Sequence, residues 1–321
     1  MPRVEPGRQR GRVTWSLAVL GLTAALAVLQ AVDGPTVLRQ ALAAALSVLM
    51  TLGLTLRSGA NAPLGTLFAL LVGVVAVATQ WDTLLAGAAV GAAVVAACLA
   101  VMGTRPAPGF ARVVLEVVLA LAVANAGGLA AAGFAANLDT ERFDYTVLGL
   151  SVLSVVALVY RLGGGLHGLG RRGAMLATGA LVLLVVVLVY AAAFTEYGSP
   201  ELVRQGRSVQ GWVREHLGGA PHPVEVLVGI PALAWGVAMR SRRRQGWWAC
   251  AFGAAATAHV ASDLIDRNDT VLGAVLTACY GLVLGLALGA VLIRLERVLT
   301  GRDGGRPAAV GQEPPRMQPL H

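Results

Sequence analysis

Ten apolar runs follow one another along this chain, and almost every gap between them is short. They cover 14–32, 36–56, 63–79, 83–103, 110–135, 145–162, 173–195, 224–240, 246–263 and 271–293. A hydrocarbon core of about 30 Å takes about 20 helical residues to cross, with about 17 near the lower limit. The separators carry turn formers or charges: Asp33-Gly34-Pro35, Arg57-Ser58-Gly59, Trp81-Asp82 and Arg105 to Gly109. The runs do not alternate polar and apolar residues, as the strands of a membrane barrel would. The fold class is therefore all-α, a polytopic transmembrane bundle of ten spans. The eighth run is short, opens near Glu225 and holds Pro231, which predicts a kink.

Composition agrees. Apolar residues make up 56% and charged residues 13%, about half the charge of a soluble domain, and the mean hydropathy is +0.71. The chain is too apolar for disorder. All 25 basic residues are Arg. Without Lys there is no P-loop lysine, kinase lysine or Schiff base. Cys98, Cys250 and Cys279 are scattered through apolar runs and read as small buried residues, with neither disulfide nor zinc spacing. No cofactor motif is present.

Arg distribution tests the span count. With a cytoplasmic N-terminus and alternating spans, 19 Arg fall inside and 6 outside, while 12 of the 17 acids fall outside. This is the positive-inside bias. Deleting the eighth span would move Arg242-Arg243-Arg244 outside. Ten spans with both termini cytoplasmic follow. The basic balance then reflects topology and attraction to a bilayer with anionic inner-leaflet lipids. Nucleic-acid binding is not indicated, since basic and aromatic residues do not gather on one soluble surface. Trp15, Trp81, Trp247 and Trp248 sit at span ends as interfacial anchors.

The chain divides into a basic N-terminal segment (1–13), a transmembrane domain (14–297) and a polar cytoplasmic tail (298–321), expected to be disordered. The N-terminus resembles a signal peptide without a small-x-small cleavage site and reads as a retained span. Two groups of five spans, 14–135 and 145–293, would place the second half inverted relative to the first. The long outer segment 196–223 predicts an amphipathic helix over 199–217, starting at Ser199-Pro200-Glu201 and ending at Gly218-Gly219. It is either a lid or a passive cap. In the tail, Glu313-Pro314-Pro315-Arg316 is either a docking motif or part of a solvated tail.

Small residues mark candidate packing faces: Gly87 and Gly91 on the fourth span, and Gly281, Gly285 and Gly289 on the tenth. Such rows let helix backbones approach, within the bundle or in a homodimer. Ionisable residues are scarce, and inside a membrane each is a functional candidate. Arg112 and Glu116 share a face of the fifth span, with Asn125 deeper. They are either a polar substrate path or an interfacial ion pair with an interhelical hydrogen bond. His259 and Asp263 lie one turn apart on the ninth span and are either a proton or cation site, with His216 or His222 assisting, or a satisfied interfacial pair. The glycine-rich loop 161–172 lacks strand–turn–helix context and reads as a connector. No catalytic motif is found.

The stretches Tyr197-Gly198-Ser199-Pro200-Glu201, Pro223-Val224-Glu225-Val226-Leu227, Arg243-Arg244-Gln245-Gly246-Trp247-Trp248 and Pro314-Pro315-Arg316-Met317-Gln318-Pro319-Leu320 resemble uncharacterised multi-pass membrane proteins of high-GC actinobacteria. The resemblance spans roughly the last third of the chain. It implies a bacterial plasma-membrane location and carries no activity or site. Three functions compete. The first is a permease for a small or lipidic solute. The second is a non-catalytic subunit or scaffold of an envelope complex, with a membrane-protein partner. The third is an envelope-lipid enzyme built on the outer His/Asp cluster.

Overall fold

The computed structural model describes residues 6–161, 222–243, 245–265, 271–299, 313–314 and 316–320, with Met175, Thr178, Val182, Ser208, Gly211, Trp212 and His216. These are helical apart from turns. The helices are α1 Pro6–Ala31, α2 Thr36–Ser58, α3 Ala62–Thr79, α4 Asp82–Met102, α5 Phe110–Gly133, α6 Thr140–Arg161, α7 Ile230–Arg240, α8 Gly246–Phe252, α9 Ala254–Ile265 and α10 Val271–Leu299.

Among the described residues, seven helices are long and apolar enough to cross a membrane. They are α1 to α6 and α10, so the chain is a multi-pass membrane protein. The expected ten spans are not all seen as unbroken helices. The eighth run is interrupted by a π-helical turn, Glu225–Gly229, and continues as α7. The ninth is broken at Gly253 into α8 and α9. The seventh run and the amphipathic segment 196–223 lie outside the described residues, apart from the scattered positions named above and His222-Pro223.

The π turn has a local cause. Pro231 cannot donate a hydrogen bond, and its ring excludes the carbonyl four residues back. The backbone widens ahead of it, and the Ile230 amide reaches back to the Glu225 carbonyl. The break therefore falls where the sequence predicts a kink. Gly229, in this turn, lies against the α9 backbone: a Cβ there would sit 2.4 Å from the Ala256 amide nitrogen.

Helix ends follow their residues. Asn61 caps α3 by accepting from the Leu64 amide at 3.2 Å. Gly59, at φ 68°, ends α2 in the left-handed conformation that glycine adopts without strain.

Of the seven long helices, α4 and α5 are the most buried and α1 and α3 the least. Helix α5 packs at Gly127 against Ala92 and Ala96 of α4, and both helices are rich in buried alanine. The contact is so close that a Cβ on Gly127 would lie 2.0 Å from the Ala96 Cβ. In lipid, apolar burial alone does not drive helices together, and small side chains let dispersion contacts do so. The Gly281, Gly285 and Gly289 row packs within the chain: Cβ atoms there would meet the Glu225 carboxylate, Ile230 and Ala234. A Cβ on Gly87 or Gly91 meets nothing within 4 Å among the described residues.

These contacts predict opposite outcomes for two similar changes. Gly229→Ala overpacks a backbone contact and destabilises by about 1–3 kcal/mol. Gly87→Ala leaves stability unchanged or raises it by up to about 1 kcal/mol. Thermal unfolding in detergent, followed by circular dichroism, compares them.

Candidate functional site

Charge is buried at both ends of the bundle. At one end, the carbonyls of Met102, the last residue of α4, and of Gly103 and Thr104 just after it each accept from a different guanidinium. Arg57 Nε donates to Met102 O at 2.9 Å, Arg316 Nε to Gly103 O at 3.1 Å and Arg240 Nη2 to Thr104 O at 3.0 Å. A helix C-terminus carries unsatisfied acceptors and partial negative charge, so cations gather there. Arg57 and Arg240 are completely buried. Arg240 also donates to Thr104 Oγ1 at 2.7 Å and lies 3.4 Å from the Trp247 ring centroid, a cation–π contact.

Two buried guanidiniums need anions, and the C-terminal segment brings one. Glu313 pairs with Arg240 through both carboxylate oxygens and lies 3.7 Å from Arg57 Nη2. Arg57 Nη1 donates to the carbonyls of Pro314 (3.1 Å) and Gln318 (3.4 Å). Arg316 pairs with Glu116, whose other oxygen accepts from the Arg105 amide at 2.9 Å. Leu320 is buried beside this network. Of the tail 298–321, expected to be disordered, only residues 298–299, 313–314 and 316–320 are described, and these are ordered. Helix α10 continues to Leu299, and the described residues between 313 and 320 dock on the bundle. The physical reason is that Arg57 and Arg240 are too buried for water to serve them.

At the opposite end, His259 on α9 is 4% exposed and its Nδ1 lies 2.9 Å from Asp144 Oδ1 on α6. The His222 ring stacks on the His259 ring at 5.1 Å, nearly parallel. Glu225, in the π turn, is 3% exposed, and its carboxylate lies in the space left by Gly281. His259 Nε2 is buried with no hydrogen-bond partner among the described residues. In a neutral imidazole, an Nδ1–H donated to the Asp144 carboxylate would leave the lone pair on the buried Nε2. Among the described residues, no three His, Cys, Asp or Glu side chains are placed to hold a metal ion.

The sequence-predicted site residues are distributed as follows. Glu116 pairs with Arg316 and not with Arg112, which is exposed at the start of α5. Asn125 donates to Leu121 O of its own helix at 2.9 Å and lies well apart in sequence from Glu116. His259 takes Asp144 as its carboxylate. Asp263 lies on α9, its side chain outside the described residues. His216 is exposed, stacked on Trp212 at 4.5 Å. Sequence reasoning did not single out Arg57, Arg240, Glu313, Asp144 or Glu225 as site residues. One signal was present for three of them: an Arg at the end of two spans, and a lone Glu in a proline-rich tail.

Glu313→Gln removes the anion between two buried cations. Leaving a buried charge uncompensated costs about 3–5 kcal/mol, so the segment should leave its seat. Limited proteolysis should then cut the tail several-fold faster than in the wild type, while Asp82→Asn, exposed at the other end of α4, leaves the rate unchanged. Equal rates in all three proteins would contradict the docking. No protein-family model, curated protein or solved structure matches the chain, so the arrangement of its own residues is the guide to its function.

Proposed function

We propose that this protein is a proton-linked permease for a small or lipidic solute, in the plasma membrane of a bacterium, with the tail end of the bundle facing the cytoplasm. One observation carries the reading. A buried imidazole, hydrogen-bonded to a carboxylate, keeps its second nitrogen without a partner among the described residues. Ionisable groups in a membrane are costly and mark ion or proton pathways by default. Here Asp144, His222, Glu225 and His259 come from three separate stretches of chain, so changes in their charge can bear on how those stretches pack.

The π turn adds support. It interrupts a helix beside the cluster, and interrupted helices in transporters expose backbone where solute or coupling ions bind. The small-residue contacts of α10 with the π turn and α7 would let those helices shift against one another without repacking long side chains. The docked C-terminal segment sits over the other end. The Arg count supports the orientation, since the end with Arg57, Arg240, Arg294 and Arg297 is the one that the positive-inside bias assigns to the cytoplasm.

The test uses the full chain in liposomes loaded with a pH-sensitive dye. An inward proton gradient is applied in the presence of amino acids, sugars, short-chain acids or amphiphilic cations, one at a time. One class should speed collapse of the gradient, and His259→Ala should abolish that gain while the protein stays monodisperse. Three results would overturn the reading: no class exceeding empty liposomes, an undiminished rate in His259→Ala, or a stoichiometric partner protein without which no flux is seen. The last would favour the subunit or scaffold function.

A further inference from the structure

A groove of about 220 Å³ runs between α5, α7 and α10 at the tail end of the bundle. Its walls are Phe110 and Val113 from α5, Ala238 from α7, and Ala290 and Ile293 from α10, and its mouth carries Arg294 and Arg297. The apolar part is continuous with a bilayer-facing surface: Phe110 is 45% exposed, Val291 57% and Leu295 49%. Long apolar side chains exposed to this degree on a membrane helix face lipid.

Among the described residues, the charge at the mouth has no partner. Glu296, the one acid on this stretch of α10, is taken by Arg242 at 2.7 Å. Arg294 and Arg297 make no ion pair or hydrogen bond among the described residues. Both lie in the last two turns of α10, before Leu299. The groove thus has an apolar floor, two guanidiniums without a partner among the described residues, and exposed apolar side chains beside it.

We infer that this groove is a specific binding site for an anionic phospholipid, with the headgroup phosphate on Arg294 and Arg297 and the first part of one acyl chain against Val113, Ala238 and Ala290. The volume is too small for a whole lipid and suits the part of a chain next to the glycerol. Guanidinium pairs bind phosphate oxygens through several donors at once. Basic pockets between transmembrane helices near one membrane face bind acidic headgroups in this way. The inference is independent of the permease reading, because it uses no residue of the Asp144–His259 cluster.

Native mass spectrometry of the full chain in detergent tests it, with phosphatidylglycerol and phosphatidylcholine as probes. Phosphatidylglycerol should bind at one saturable site and phosphatidylcholine should not. Arg294→Gln with Arg297→Gln should weaken binding about thirtyfold, since each basic group near a lipid phosphate is worth about fivefold. Ala290→Leu, which fills the groove and keeps both charges, should also abolish the site. Equal binding of the two lipids overturns the proposal. So does full binding in Ala290→Leu, which would reduce the site to surface charge. So does equal displacement by glycerol phosphate or inorganic phosphate, which would make it a site for soluble anions. The wild-type comparisons decide the matter even if a variant fails to fold.

Discussion

The C-terminal end of α4 gathers the charges of its end of the bundle. The carbonyl of its last residue, Met102, and those of Gly103 and Thr104 that follow lie where water is scarce. Arg57, Arg316 and Arg240 each take one. Their convergence would be unstable without anions, because three cations share a small volume. Glu313 and Glu116 supply the anions, and two of the five charged side chains come from the C-terminal segment. Helices α2, α4, α5 and α7 are thereby tied to residues beyond α10. Arg316 is partly exposed, so its pair with Glu116 contributes less than the buried pair of Glu313 with Arg240.

The middle of the bundle works differently. Ala, Gly and Val fill it, and few polar side chains enter. Such a core holds helices close through dispersion, with little directional bonding. The ionic and amide side-chain pairs between elements sit near the ends among the described residues: the arginine network at one, and at the other the Gln40–Gln80 amide pair (2.7 Å) and the Asp144–His259 pair. Among the described residues, one end carries the buried His–carboxylate pair that the proposed permease would use, and the other a chain segment held by ion pairs.

Much of the fold was legible in the sequence, because hydropathy and length dictate it directly. Runs such as 36–56 and 83–103 became unbroken helices with nearly the same bounds. Pro231 marked the eighth run as irregular, and the π turn forms just before it. The sites were less legible. The pairing of Glu116 with Arg112 follows from helical spacing alone, and spacing cannot see a tail that returns from 200 residues away. His259 was found as a rare buried titratable group, but its carboxylate comes from another helix. Only packing reveals which of several acids at that end lies within reach. Glu225 sat at the edge of a predicted span, where an acid looks solvated. The space beside Gly281 buries it instead.

The Asp144–His259 pair is the point on which the functional account turns, and its protonation can be read directly. Histidine-selective ¹⁵N labelling and solid-state NMR of the full chain in lipid bilayers distinguish the two neutral tautomers. The account predicts one imidazole, assigned by its loss in His259→Ala, with the proton on Nδ1 and a bare Nε2, and a change in that signal in Asp144→Asn. A proton fixed on Nε2 at every pH, unaffected by Asp144→Asn, would contradict it.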